Sequence, residues 1–418
     1  MQAHLLAAVR RLAVALSHRD FRLLWSGALG SSIGTWMQKV AQAWLIVTLT
    51  GTGSAFFLGL DSFVGELPIL LLTLVGGVVA DRKDRRQLLL MSQYTQMSAA
   101  FVLALLVYFD VVRIWHIIGL SAITGVAQAF GGPAYQSLIP SLVSKEHLPN
   151  AVALNSIQFN LARIVGPLIA GAALAAFGMV ACFGLNGVSF LFVIAALMAL
   201  RVKHIPPASQ QRMIDELKGG LRYVRSEPQL VLLTVLGFVA AFLGLPLLTF
   251  LPVIVKEIYQ QDVGLYTRLM AFSGTGAVIG ALTIAWIGRS RAMGRTLLGG
   301  VLAFGAVMIA FALSRQLWLS QLLLFLGGGL LVATFSMTTS LVQLIAPNEM
   351  RGRVMSIYMV AFRGASPLGN FVSGNIATAT SVPAVIALNG SLLMLAAMVF
   401  WVLGRRVRET EAAAGVGA

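Results

Sequence analysis

The chain has 418 residues, 58% of them hydrophobic and only 11% charged, with a formal net charge of +15. A soluble domain carries roughly a quarter of its residues charged, so a water-soluble globular fold is excluded. The lone cysteine, Cys182, excludes a disulfide framework, and the basic excess points to membrane topology rather than nucleic acid, because lysine and arginine gather in cytoplasmic loops.

Apolar runs of about 20 residues, long enough to cross a bilayer as helices, recur along the whole chain. The expected fold is an all-α membrane protein with twelve transmembrane helices in two six-helix pseudo-repeat bundles. Residues 1–22 read as a cytoplasmic amphipathic N-terminus without a cleavable signal peptide. Spans are predicted near 23–49, 54–80, 87–109, 115–140, 150–178 and 180–200, which make the first bundle (23–200). A polar stretch follows at 201–228, a cytoplasmic linker with Pro206 and Pro207 as a break and "MIDELKGGLRYV" as a surface helix. Spans near 229–255, 263–288, 295–313, 317–345, 354–379 and 382–404 make the second bundle (229–404), and 405–418 is a cytoplasmic tail.

Basic residues set the orientation. Of the 30 lysines and arginines, twenty-three fall in the termini and the loops on their side, including Arg82, Lys83, Arg85, Arg86, Lys145, Arg351 and Arg353. The opposite face holds only Arg113, Lys256, Arg268 and Arg315. Both termini are therefore expected on the cytoplasmic side of the membrane.

The halves repeat. "SIQFNLARIVGPL" (156–168) and "SIYMVAFRGASPL" (356–368) share Ser156/Ser356, Ile157/Ile357, Arg163/Arg363, Pro167/Pro367 and Leu168/Leu368, and "LNG" recurs at Leu185–Gly187 and Leu388–Gly390. Parallel six-span repeats are an architecture of alternating-access carriers.

On these residues the chain resembles the major facilitator superfamily. "GVVADRKDRR" (Gly77 to Arg86) is similar to its signature between spans two and three, G-x-x-x-D-R-x-G-R-R, with Asp84 in place of the usual glycine. The second-half copy, "GALTIAWIGRSRAMGR", keeps basic residues but no aspartate. "GPLIAG", with Gly166, Pro167 and Gly171, resembles the glycine-proline motif of the antiporter branch. "HRDFRLLWSGALGSSIGTWMQKVAQAWLI" and "NEMRGRVMSIY" resemble the bacterial efflux branch that includes the enterobactin exporter and macrolide and multidrug pumps. Members commonly carry an aspartate where this chain has Thr35, and span four lacks the arginine typical of drug–proton antiporters. The resemblance implies that Asp81 meets the N-terminus of span eleven, with Gly77, Arg82, Arg85 and Arg86 completing a gating motif. The loop's basic residues are expected in water, on anionic lipid headgroups.

Charges inside spans are expensive and mark candidate function. Five are present: Lys39, Asp61, Glu66, Arg163 and Arg363. Spans one and two turn near residue 51 or 52, which sets Lys39 at the depth of residue 64, within reach of both Asp61 and Glu66. Either carboxylate could bind a proton or substrate, and either could serve only a structural ion pair. Arg363 is a second possible partner for Glu66. The repeat-related arginines suggest a shared structural role.

In the fold that the resemblance implies, the cavity is lined by polar residues of spans one, four and ten. These are Gln38, Gln42, Gln128, Tyr135, Gln136, Ser336, Thr338, Thr339 and Gln343, with Trp36 and Phe130 for apolar contact. Each could equally be a helix-packing polar residue. "GTGAVIG" (274–280) lies in an apolar span, which suits close helix packing rather than a dinucleotide. The five histidines show no metal-ligand spacing, and there is no phosphate-binding G-x-x-x-x-G-K-[ST] loop.

The expectation is a monomeric secondary transporter, not an enzyme and without cofactor, exporting a small amphipathic molecule such as a drug, macrolide or siderophore-like compound, driven by a proton or another ion. A lysophospholipid flippase, an uptake permease and a non-transporting scaffold are the alternatives.

Overall fold

The computed structural model describes residues 14–51, 53–201, 213–288 and 292–403, except for the side chains of Leu74, Asp81, 213–218, Ile287 and Leu403. Most of the expected N-terminal segment, residues 202–212 of the linker, Arg289, Arg291 and the tail lie outside the described residues. The elements are helical throughout that range, with no strand among the described residues. Two compact units emerge: Met1–Leu49 with Val64–Ala208, and Thr50–Phe63 with Ser209–Ala418.

The first unit draws on α1 (Arg19–Thr50), α2 (Ser54–Arg82), α3 (Arg85–Tyr108), α4 (Ile114–Leu142) and α5 (Leu148–Ala199). The turn between α1 and α2 falls where the sequence puts it, at Gly51 and Gly53, both with positive φ (51° and 91°) that suits glycine. At the start of α3 the Asp84 carboxylate accepts from the backbone N–H groups of Arg86 (2.8 Å) and Gln87 (3.3 Å). The residue that departs from the superfamily signature is thus a helix N-cap.

Helix α5 is 52 residues long, about 78 Å at 1.5 Å per residue, far more than one crossing needs. Non-helical backbone at Gly178 (φ 75°, ψ −174°) breaks it. Contacts with α1 show what the break does. Trp25 donates to the Leu154 carbonyl, Ser32 accepts from Gln158, and Gly166 abuts Trp36, so the first portion runs parallel to α1. Gly27 meets Phe192 and Gly34 meets Asn186 and Ser189, so the second portion runs antiparallel. The chain reverses at Gly178, between the two predicted spans.

The second unit holds α6 (Met213–Ser226), α7 (Pro228–Gly244), α8 (Val263–Ile287), α9 (Met293–Leu313), α10 (Leu317–Ile345), α11 (Arg351–Ala379) and α12 (Val382–Leu403). The predicted surface helix exists as α6, which packs Gly220 against the backbone of Arg353 and exposes Arg222 and Arg225. Span seven, expected over 229–255, is one candidate crossing over Pro228–Ile258, and its helix is irregular inside that run. After α7 come two short helical pieces at Pro246–Thr249 and Leu251–Val253 and a π-type turn at Ile254–Ile258. Pro246 and Pro252 each stand at the start of one of these pieces, where a missing helical N–H costs least.

Residues 54–63 of α2 belong to this second unit. Gly59 lies under the Asn370 carbonyl and Gly374 under that of Ala55. Asn370 Nδ2 donates to Ser62 Oγ at 2.8 Å, and Phe63 stacks on Phe371 with ring centroids 5.1 Å apart.

Small residues set the close approaches in both units. A Cβ on Gly76 would strike the Ala129 carbonyl, and one on Gly276 would strike that of Phe325, so α2–α4 and α8–α10 pack backbone to backbone. The repeated "LNG" glycines act alike: Gly187 fits against the Phe101 ring of α3, and Gly390 against the Gly305 carbonyl of α9.

Among the described residues nine helical segments are long and apolar enough to cross a membrane, one of them the run that contains α5. Helices α1 (32 residues) and α11 (29 residues) are long enough but fall outside that set. Polar residues such as Gln38, Lys39 and Gln42 dilute the first, and Arg363, Asn370 and Asn375 the second.

Candidate functional site

The first unit brings four of the singled-out side chains together. Trp36 and Lys39 are one turn apart on α1, Glu66 sits on α2, and Arg163 on the first portion of α5. Gly166 fixes the approach of α5 to α1, because its missing Cβ leaves room for the Trp36 Cβ. That approach carries Arg163, three residues earlier, to the indole.

Lys39 Nζ lies 3.8 Å from Glu66 Oε1, so of the two carboxylates within its predicted reach it pairs with Glu66. The side chains are 56% and 43% exposed, respectively. The pair therefore sits on an open face of the unit rather than in its packed interior. Lys39 Nζ also lies 5.1 Å from the centre of the Trp36 ring, and Arg163 Cζ lies 5.9 Å from it. Both distances allow a cation–π contact. The Phe159 ring meets the same indole edge to face, at 6.0 Å and 74°. Asp61 is half-buried on the N-terminal part of α2, and Arg363 is exposed on α11.

The other candidates divide by what holds them. Gln38 accepts from Asn186 Nδ2 at 2.6 Å, Gln42 donates to Ser121 Oγ at 3.0 Å, and the Tyr135 hydroxyl lies 2.9 Å from Asn155 Oδ1. Thr338 is fully buried and bonds back to the Thr334 carbonyl, while Thr339 reaches the Phe335 carbonyl and the Tyr358 hydroxyl. These five tie helix to helix or close their own turn. Gln128, Gln136 and Gln343 are exposed, and Phe130 and Ser336 are half-buried.

The gating-motif residues also separate. Arg82 is exposed beside Lys83. Arg85 Nη1 donates to the Ser137 carbonyl at 3.0 Å and Arg86 Nη2 to the Met198 carbonyl at 2.8 Å. These two guanidiniums thus bind backbone carbonyls of α4 and α5, where the sequence suggested headgroups in water. A guanidinium at the last turn of α5 suits the negative end of the helix dipole. Gly77 and Gly171 are half-buried, and Gly166 and Pro167 are buried. The Asp81 side chain lies outside the described residues.

Sequence reasoning missed Phe159 and Asn186. Phe159 is one helical turn before Arg163, on the same face, and that spacing was a usable signal. Asn186 is the middle residue of the repeated "LNG", and its bond to Gln38 gives the motif a role that a packing glycine alone does not reveal.

A family model described as "Transmembrane secretion effector" matches residues 12–417. The multidrug efflux pump Tap of Mycolicibacterium fortuitum is 27% identical over 401 residues, covering 94% of this chain and 97% of Tap. The staphyloferrin A transporter of Staphylococcus aureus is 24% identical, over 90% of this chain and 94% of its own. An enterobactin exporter of Shigella boydii is 25% identical, over 92% and 90%. Among solved structures the fold is similar to the nucleoside transporter NupG, with a TM-score of 0.71 at 14% identity, over 93% of this chain and 99% of that one. It is also similar to a bacterial homolog of the human lysosomal transporter Spinster, with a TM-score of 0.69 at 14% identity, over 95% and 97%. The chain belongs to the transmembrane secretion effector family of the major facilitator superfamily, whose members are membrane transporters and not enzymes.

Proposed function

We propose that this transporter exports a small amphipathic molecule from the bacterial cytoplasm by alternating access, with inward proton movement as the driving force. The observation that carries this reading is the Lys39–Glu66 pair, open on one face at mid-helix. A charge inside a span is costly, and Lys39 is the counter-charge that Glu66 has there. A pair that is half exposed lets Glu66 alternate between Lys39 and a proton as cargo enters and leaves. The similarity to a multidrug efflux pump and an enterobactin exporter supports export of amphipathic cargo.

The twelve-span arrangement belongs to the same proposal. Nine candidate segments, one of them reversing at Gly178, together with α1 and α11, supply twelve crossings. They fall into bundles at 23–200 and 229–404 joined by the linker at 201–228, with both termini cytoplasmic as the basic residues dictate. Trp36, Gln128, Phe130, Gln136, Ser336 and Gln343 are the proposed cargo-facing residues, being wholly or partly exposed. Gln38, Gln42, Tyr135, Thr338 and Thr339 would support them from the packing layer. Asp81, with Gly77 and the basic loop, is the proposed gating element.

Everted membrane vesicles test the reading. Energised vesicles containing the protein should accumulate amphipathic fluorescent compounds, and a protonophore should abolish the accumulation. Accumulation that ignores the protonophore, or that equals that of vesicles without the protein for every compound in a charge-varied panel, contradicts it.

A further inference from the structure

We infer that Arg163 and Lys39 select cargo carrying a carboxylate on a flat apolar body, taking the carrier reading above as the starting point. Both cations lie over one indole, at 5.9 and 5.1 Å. Lys39 has Glu66 at 3.8 Å, which is longer than the usual charge-assisted bond of about 2.7–2.9 Å. For Arg163, no carboxylate lies within ion-pair range among the described residues. Two positive groups and one negative leave one uncompensated positive charge at the site.

That charge decides the sign of the cargo. A cationic compound would meet two like charges, with the aromatic face that could attract it already occupied by them. An incoming carboxylate supplies the missing counter-charge and matches the planar guanidinium fork, which takes two parallel hydrogen bonds. Phe159 is 54% exposed beside the indole and offers a surface for the flat body of the same molecule. Carboxylate and apolar plane are thus recognised a few ångströms apart, by residues that Gly166 holds in place.

The test uses the full chain in phosphatidylcholine nanodiscs and three fluorescent probes with one pyrene body: pyrenebutyrate, pyrenebutanol and pyrenebutyl-trimethylammonium. Binding is read by fluorescence polarisation, with empty nanodiscs subtracted. The carboxylate should bind about tenfold or more tighter than the ammonium, as expected for a charge-assisted bond. Arg163→Gln should lose about tenfold for the carboxylate and shift the alcohol by less than about twofold. Arg163→Lys should keep part of the preference, because the charge stays and the fork is lost.

Equal or tighter binding of the ammonium, survival of the full preference in Arg163→Gln, or binding of none of the three probes overturns the inference. The ranking on the unmodified protein decides alone should the variants not fold. Binding is measured without a gradient, so the two readings fail separately. A protein that prefers the carboxylate yet moves no cargo in vesicles sinks the carrier reading, whereas efflux with an ammonium preference sinks this one.

Discussion

The repeat-related arginines sit in opposite surroundings. Arg163, on α5, lies over Trp36 of α1 beside Lys39 and the Glu66 carboxylate, and α1 also holds Gln38 and Gln42 in its packing. Arg363 is exposed on α11, and α7, the counterpart of α1, reads "PQLVLLTVLGFVAAFLG" without a charge. Yet the packing of the two units is alike: α5 approaches α1 at Gly166, and α11 approaches α7 at Gly369, under the Phe242 carbonyl. The repeat therefore carries helix geometry in both units and charged chemistry in one. A close-packed pair of helices needs small residues wherever it occurs, whereas a buried charge is too costly to keep where it does nothing.

If packing is the shared part, the paired glycines should fail together. Gly76→Val and Gly276→Val each push a side chain into a partner helix carbonyl, and neither backbone can yield without separating the helices. Each should destabilise by about 1–3 kcal/mol through overpacking, visible as a similar drop in thermal unfolding temperature in detergent. A large loss at one site and none at the other would break the parallel between the units.

A smaller effect sharpens the same comparison. Asp84 caps α3 in the first unit, and Asp262 caps α8 in the second by accepting from Gly264 and Leu265. Replacement of either by Ala should cost about 0.5–2 kcal/mol, and Asp84→Gly only a few tenths. Thermal unfolding of the three variants gives the order. Asp84→Gly also restores the usual residue of the superfamily signature, so transport should survive it. Loss of transport in a stably folded Asp84→Gly would mean that Asp84 belongs to the gate and not only to the cap.

Helix positions were legible because apolar length and breakers set them: the α1–α2 turn stands at the glycines 51 and 53, and the reversal at Gly178 falls between the spans expected over 150–178 and 180–200. Span seven was legible as a crossing, whereas the breaks at Pro246–Thr249 and Leu251–Val253 within it depend on local packing that apolar length does not report. The Lys39–Glu66 pair was half legible. Counting outward from the hairpin turn brought Lys39 within reach of two carboxylates, and only side-chain direction picks Glu66. The meeting of Arg163 with Trp36 was not legible, because residues 127 positions apart meet only once Gly166 sets the α1–α5 approach. Nor did the sequence show that Arg85 and Arg86 bind carbonyls of α4 and α5, as a basic loop looks the same whether it faces lipid or protein.

The central claim is that Glu66 couples cargo movement to the proton gradient, and proteoliposomes test it most directly. Pyrenebutyrate transport is measured twice on the same Glu66→Gln preparation: driven by an imposed pH gradient, and as exchange with no gradient. The account predicts that gradient-driven transport is abolished while exchange persists, because the variant keeps the shape of the site and removes only the carboxylate. Asp61→Asn, on the N-terminal part of α2, should leave both activities largely intact. Parallel decline of both activities in Glu66→Gln, or their separation in Asp61→Asn instead, would contradict the assignment.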